Sequence, residues 1–163
     1  MERTLILMRH GKSAYPVGID DHERPLAPRG IREAGLAGQW LRETQPPIDA
    51  VRCSTAKRTR ETLAATGITA PVEFVSDIYE ASPRTLLELI WLTGDEVATL
   101  LVIGHAPGMP YTTWELASDH RSEAAERLSR KFPTSALAVL RFAGPWTEVA
   151  AGTGDLVEFH VPR

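Results

Sequence analysis

The sequence predicts an α/β fold in which helices cover both faces of a mostly parallel central sheet. Two apolar runs, residues 4–8 (TLILM) and 99–103 (TLLVI), lack the polar alternation of half-exposed strands. Such continuous runs are typical of strands that are buried on both faces. Segments with helical spacing separate the predicted strands along the chain, which indicates a three-layer α/β/α architecture.

Four further segments are predicted as strands because they are short and rich in apolar residues. In chain order they are residues 49–53 (DAVRC), 72–75 (VEFV), 136–142 (ALAVLRF) and 156–161 (LVEFHV).

The first predicted helix covers residues 29–43. Ile31, Ala34, Gly38 and Leu41 are spaced three or four apart, so we expect them to form one buried face. The helix follows a long segment, residues 11–28, that is punctuated by glycine and proline. A loop of that length in a compact domain is usually functional or mobile.

Cap residues mark the next two predicted helices. Residues 55–65 follow Ser54, which is a suitable N-cap. Residues 83–93 begin after Ser82 with a proline in the first turn, and we expect this helix to stop at Gly94. Two further helices are predicted over residues 109–118 and 121–131.

Length and composition predict a single soluble domain over residues 1–163. The net charge of −3 gives no general attraction to nucleic acid. No apolar run is long enough for a membrane span or a signal peptide, so we expect no membrane partner. Cys53 is the single cysteine, which excludes an internal disulfide and suits a reducing compartment. Together these features predict a cytoplasmic protein.

Polar residues follow three of the predicted strands. They are Arg9-His10-Gly11, then Ser54 with Arg58 on the following helix, then Gly104-His105. Because ligands bind at the carboxyl ends of strands in open α/β sheets, these residues are expected to meet at one site.

This set of side chains suits a phosphoryl group. Arginine matches phosphate oxygens with a planar fork of donors, and a neutral histidine can attack phosphorus through a ring nitrogen. The second histidine and the arginines would stabilise charge on the transferring group. Gly11 lets the backbone approach the ligand closely. No spacing of His, Cys and Asp indicates a metal site, and no cofactor is predicted.

Three motifs carry a resemblance to a known family. The segments LMRHGKS, CSTAKRTRET and VIGHAPG resemble, in the same order, the three motifs of the histidine phosphatase superfamily, which has the phosphoglycerate mutase-like fold. The segments DDHERPLAPRGIREA (20–34) and FPTSALAVLRF (132–142) are similar to those of the small bacterial SixA-like phosphohistidine phosphatases. The short chain implies that no large cap insertion covers the site.

The resemblance also implies roles for individual residues. His10 resembles the nucleophile that becomes phosphorylated, with Arg9, Arg58 and His105 around it as catalytic, phosphate-binding groups. Gly11 and Ser54 are expected to complete the phosphate site. The family's general acid matches Glu80 in the segment DIYEASP. The acidic residues of the long loop are rivals for that role: Asp20, Asp21 and Glu23.

The sequence therefore predicts a metal-independent phosphatase that hydrolyses phosphohistidine through a phospho-His10 intermediate. Its expected partner is a phosphohistidine-bearing signalling or phosphotransfer protein, because a site without a cap admits a protein side chain. The alternative is a phosphatase of small esters such as sugar phosphates or nucleotides. A mutase is disfavoured, because without a cap the site could not hold and reorient a small intermediate. A third hypothesis is a phosphate-binding module without catalysis. The sequence leaves open the oligomeric state and whether loop 12–28 closes over substrate.

Overall fold

One six-stranded sheet with helices on both faces organises the molecule, which confirms the predicted α/β architecture. A computed structural model describes all residues, 1–163. The strands are β1 (Arg3–Arg9), β2 (Ala50–Ser54), β3 (Val72–Val75), β4 (Thr99–Gly104), β5 (Leu137–Phe142) and β6 (Asp155–His160). The helices are α1 (Pro28–Thr44), α2 (Lys57–Thr66), α3 (Pro83–Trp91), α4 (Gly108–Leu116) and α5 (Glu123–Arg130). None of these helices is both long and apolar enough to cross a membrane.

The strand order places the functional strands side by side. It is β3-β2-β4-β1-β5-β6, and β3, β2, β4 and β1 run parallel. β5 is antiparallel to β1, and β6 is antiparallel to β5. Arg9 pairs with Gly104, so β1 and β4 end level with each other. The residues that follow these two strands therefore meet at one edge of the sheet.

The central strands alternate between two cores, which explains their continuous apolar runs. In β1, Leu5 and Leu7 face one core with α3, α4 and α5, whereas Ile6 and Met8 face the other core with α1 and α2. All four side chains are fully buried. Each such burial stabilises the fold by about 1.5–3 kcal/mol, which is why no polar residue alternates with them.

The buried face of α1 differs from the prediction at one residue. Ala34, Gly38 and Leu41 are buried as expected, but Ile31 is 53% exposed. α1 packs closely on α2, since a Cβ on Gly38 would lie only 2.1 Å from the carbonyl oxygen of Thr66. Small residues occupy this close contact, whereas Ile31 lies two turns earlier, in the first turn of the helix, where it is not covered.

The predicted helices are confirmed, but their boundaries shift by one or two residues. α2 begins at Lys57, and Ser54 is the last residue of β2, so the N-cap prediction for Ser54 is wrong. Ser82 does cap α3 by accepting from the Thr85 N–H. α3 ends at Trp91 and not near Gly94, because the following residues form tighter i to i+3 hydrogen bonds.

Candidate active site

The predicted phosphate-binding residues gather at the carboxyl ends of three neighbouring parallel strands. Arg9 ends β1 and His10 follows it, Ser54 ends β2, and His105 follows β4. Arg58 reaches the same place from the first turn of α2. The imidazole rings of His10 and His105 have centroids 5.2 Å apart. The topology therefore joins residues that are far apart in the sequence.

His10 presents an unprotonated ring nitrogen. Its Nδ1 lies 2.7 Å from the carbonyl oxygen of Gly11, and because a carbonyl only accepts, Nδ1 carries the proton of the neutral ring. Burial, together with the nearby guanidinium groups of Arg58 and Arg9, lowers the pKa of His10 to about 4. At neutral pH the Nε2 lone pair is therefore free, which is what nucleophilic attack requires.

Ser54 orients the second imidazole. Its Oγ accepts from the Ala56 N–H at 3.3 Å and lies 2.8 Å from Nε2 of His105, so its own proton is available to Nε2. Burial lowers the pKa of His105 to about 3, helped by the neighbouring His10, which disfavours a second positive charge, and by the guanidinium of Arg58. With Nε2 as acceptor, the proton of the neutral ring lies on Nδ1, which is buried and has no partner. Ser54 thus leaves His105 with one donor for a ligand.

Two arginines bring positive charge to this buried place. Arg58 is 5% exposed and Arg9 is half-buried, and burial lowers the pKa of Arg9. Arg9 donates from Nη1 to the Phe132 carbonyl at 3.0 Å, but the Nε of each arginine has no partner. Buried donors without partners are costly, and an anion with several acceptor oxygens would satisfy them. The charge therefore suits a phosphoryl group.

A threonine that the sequence analysis missed connects the two sides of the site. The Gly11 N–H donates to Oγ1 of Thr62 at 2.9 Å, and the Thr62 hydroxyl donates to the Arg58 carbonyl at 2.6 Å. Gly11 itself is required by packing, since a Cβ would lie 2.9 Å from the carbonyl oxygen of Gly30. These contacts hold the loop after β1 against α2.

Asp21 is the acidic residue in direct contact with the cationic groups. Its Oδ2 accepts from Nη2 of Arg58 at 3.1 Å and from the Tyr79 hydroxyl, and its Oδ1 accepts from Nε of Arg24 at 2.9 Å. The hydrogen bond from Tyr79, together with Arg24 and Arg58, holds the pKa of Asp21 well below its usual range. Asp21 is thus an ionised acceptor and is poorly suited to donate a proton.

The other acidic candidates lie further out. Glu80 is exposed at φ 62°, and it lines the same cavity of about 600 Å³ as Asp21 and His105 without a hydrogen bond to either. Glu23 faces His22 at 3.0 Å and Arg60 at 3.7 Å, away from the buried cations. Asp20 is exposed and bonds only through its backbone carbonyl. Acid catalysis by Glu80 stays a prediction.

Arg24 and Tyr79 were also missed as site residues. Arg24 stands in the ERPL stretch that carries part of the family resemblance, which was a usable signal. Tyr79 precedes Glu80 and carried no signal of its own. We refer to Asp21, Arg24, Tyr79 and Glu80 as the outer half of the site, and to Arg9, His10, Ser54, Arg58 and His105 as the inner half.

Comparisons with known proteins agree with this geometry. Residues 5–84 match the family model of the histidine phosphatase superfamily (branch 1). An uncharacterised protein of Mycobacterium tuberculosis is 59% identical over 158 residues, covering 96% of this chain and all of that one. The phosphohistidine phosphatase SixA of Escherichia coli is 30% identical over 118 residues, covering 69% of this chain and 73% of that one.

A solved structure is similar to this protein over the whole fold. A protein of Nakamurella multipartitia, provisionally described as a phosphohistidine phosphatase SixA, superimposes with a TM-score of 0.92 and 41% identity, covering 99% of this chain and 97% of that one. The chain therefore belongs to branch 1 of the histidine phosphatase superfamily, as a SixA-like phosphatase.

Proposed function

We propose that the protein hydrolyses phosphohistidine on another protein through a phospho-His10 intermediate. The observation that carries the proposal is the free Nε2 of a neutral, buried His10 beside guanidinium groups with unpaired donors. Nucleophile and anion-binding donors are held together before any substrate arrives, which is the arrangement that phosphoryl transfer needs.

The reaction would run in two steps. In the first, the Nε2 lone pair of His10 forms a bond to phosphorus, and the bond from phosphorus to the substrate nitrogen breaks with its electron pair on that nitrogen. In the second, water attacks phosphorus, the P–Nε2 bond breaks, and inorganic phosphate leaves. Arg9, Arg58 and the Nδ1–H of His105 would hold the phosphoryl oxygens in both steps. Neither step as written needs a metal ion.

The outer half of the site favours phosphohistidine over an ester. Ester cleavage expels an alkoxide, so it gains greatly from a general acid. The ring of phosphohistidine carries a proton on its other nitrogen. It therefore leaves as neutral imidazole without help from a general acid. Asp21 is held ionised, and Glu80 makes no hydrogen bond or ion pair with the buried cations, although it lines the same cavity. The activity named for the Escherichia coli relative supports the same substrate class.

A phosphotransfer protein is the expected partner. The cavity beside the inner half is about 600 Å³ and no large insertion caps it, so it has room for a side chain presented on another protein. The single Cys53 thiol suits a cytoplasmic location, where such a partner would be found.

The test compares phosphate release from a phosphohistidine-bearing protein and from a small aryl phosphate, with a chelator present. The wild-type chain and His10→Ala are measured side by side, and labelled phosphate is trapped on the protein after acid-free quenching. We expect preference for the phosphoprotein, label on His10, and loss of both in His10→Ala. Activity confined to the aryl ester would favour a general phosphatase, and phosphate binding without release would indicate a binding module.

A further inference from the structure

The carboxylate of Asp21 has capacity left for a ligand. A carboxylate can accept about four hydrogen bonds, and Arg58, Arg24 and Tyr79 supply three. The side chain of Asp21 is 55% exposed and lines the cavity that also contains His105. The remaining acceptor position is therefore open to a group that enters this cavity.

The leaving group of phosphohistidine brings a matching donor. When the phosphoryl group lies among Arg9, Arg58 and His105, the substrate ring must extend outward into the cavity. The ring nitrogen that is not bonded to phosphorus carries a proton and a share of positive charge. That N–H has to keep its proton for the ring to leave as neutral imidazole.

We propose that Asp21 is a specificity residue whose carboxylate accepts a hydrogen bond from the ring N–H of the substrate phosphohistidine. The inference rests on the proposed function and assigns a contact for the leaving group. Asp21 neither gains nor loses a proton in this step: the electron pair of the P–N bond stays on the substrate nitrogen, and the distal N–H stays on the ring.

Charge predicts which kinetic parameter responds. The substrate ring is cationic before cleavage and becomes neutral as the P–N bond breaks, so its attraction to the carboxylate is strongest in the bound ground state. Asp21 should therefore lower KM for phosphohistidine and leave kcat almost unchanged. An ester has no such proton, and its dianionic phosphate is repelled by the same carboxylate.

A purely structural role for Asp21 makes a different prediction. If Asp21 only held Arg58 in place, its loss would weaken the binding of every phosphorylated substrate by the same factor, because all of them need Arg58. The ratio between substrates, and the split between KM and kcat, therefore distinguish the two roles.

The experiment uses the full chain as wild type, Asp21→Asn and Asp77→Asn. Asp77→Asn is the matched control, because it makes the same change on an exposed side chain that lies outside the cavity and makes no hydrogen bond or ion pair. Three substrates are compared: a phosphohistidine peptide, phosphoramidate, which has a P–N bond but no distal ring N–H, and an aryl phosphate.

For Asp21→Asn we expect KM for the phosphohistidine peptide to rise about 10-fold, with kcat within 3-fold, as for loss of a charge-assisted hydrogen bond. KM for phosphoramidate and for the aryl phosphate should stay the same or fall. An equal rise for all three substrates, or no change for the peptide, overturns the inference. Wild-type protein that hydrolyses only the aryl phosphate contradicts the proposed function instead, so the two failures are distinguishable.

Discussion

The inner and outer halves of the site are built in different ways. Inner residues follow the ends of strands or sit in the first turn of α2, and His10, Arg58 and His105 are between 5% and 7% exposed. Outer residues come from loops, and Asp21 and Glu80 are exposed. The inner half is fixed by the sheet, whereas the outer half depends on hydrogen bonds between loops.

This difference separates general phosphoryl chemistry from substrate choice. The strand ends bring cations and the neutral His10 together, and any phosphorylated substrate would use them. The loops contribute Asp21 and Glu80, which line the cavity in which we propose that the leaving group lies. Changes in the inner half should therefore affect all substrates, and changes in the outer half should affect their ratio.

The largest expected effect is the loss of Arg58. Arg58→Ala should lower kcat/KM by about 100- to 1,000-fold for both phosphohistidine and aryl phosphate, because a charged donor to the transferring group is removed. Arg60→Ala is the control, since Arg60 is exposed on the same helix and pairs with Glu23. Steady-state phosphate release measures both. A loss restricted to one substrate would contradict the division into halves.

Acid should destabilise the inner half before the outer half. The pKa values of His10 and His105 are lowered to about 4 and 3, so the unfolded chain binds protons first as pH falls below about 6.5. The free energy of unfolding should drop by up to about 1.4 kcal/mol per pH unit for each histidine, down to about pH 4. Asp21, whose pKa is also lowered, contributes stability above about pH 4 that is lost only below it.

Denaturant titrations at pH 7, 6 and 5 measure this slope. His105→Gln should reduce this slope by up to about 1.4 kcal/mol per pH unit, which is the contribution of one bound proton. His120→Asn, which changes an exposed histidine, serves as the control. A slope that His105→Gln leaves unchanged would show that folding does not lower the pKa of His105.

A smaller effect is expected for Ser54. Ser54→Ala removes the hydroxyl that bonds Nε2 of His105, which should lower kcat about 10-fold for every substrate. Ser122→Ala is the comparison: it removes the α5 cap, outside the cavity, and should cost about 1 kcal/mol of stability without changing kcat. Equal kcat values for the two variants would mean that the orientation of His105 does not limit the reaction.

The smallest effect is expected for Glu80. Glu80→Gln should change kcat for phosphohistidine by less than about 3-fold, since the imidazole leaves without an added proton. The same variant measured on an aryl phosphate tests whether Glu80 assists esters. A loss of 100-fold or more on phosphohistidine would make Glu80 the general acid and would weaken the case for that substrate.

The inner half was predictable because its signals are local. Apolar runs followed by Arg9-His10-Gly11 and Gly104-His105 locate both the strands and their ends, and parallel pairing brings them together. Loop contacts were not predictable in this way. Asp21 was one of four acidic candidates in the sequence. What distinguishes it is its contact with Tyr79, which lies 58 residues away, and that contact depends on how the loop folds back.

The end of a helix was another limit. The spacing of apolar residues in α1 predicted Ile31 in the core, but Ile31 lies in the first turn and is exposed, whereas Gly38, two turns later on the same face, packs against α2. Periodicity shows which residues share a face, whereas the neighbouring element decides how much of that face is covered.

The pairing of Asp21 with Arg58 affects the product as well as the substrate. Because an internal carboxylate already neutralises part of this charge, free inorganic phosphate meets a weaker field than the buried arginines alone would produce. We therefore expect product inhibition to be weak, so that the enzyme continues to turn over in a compartment where inorganic phosphate is abundant.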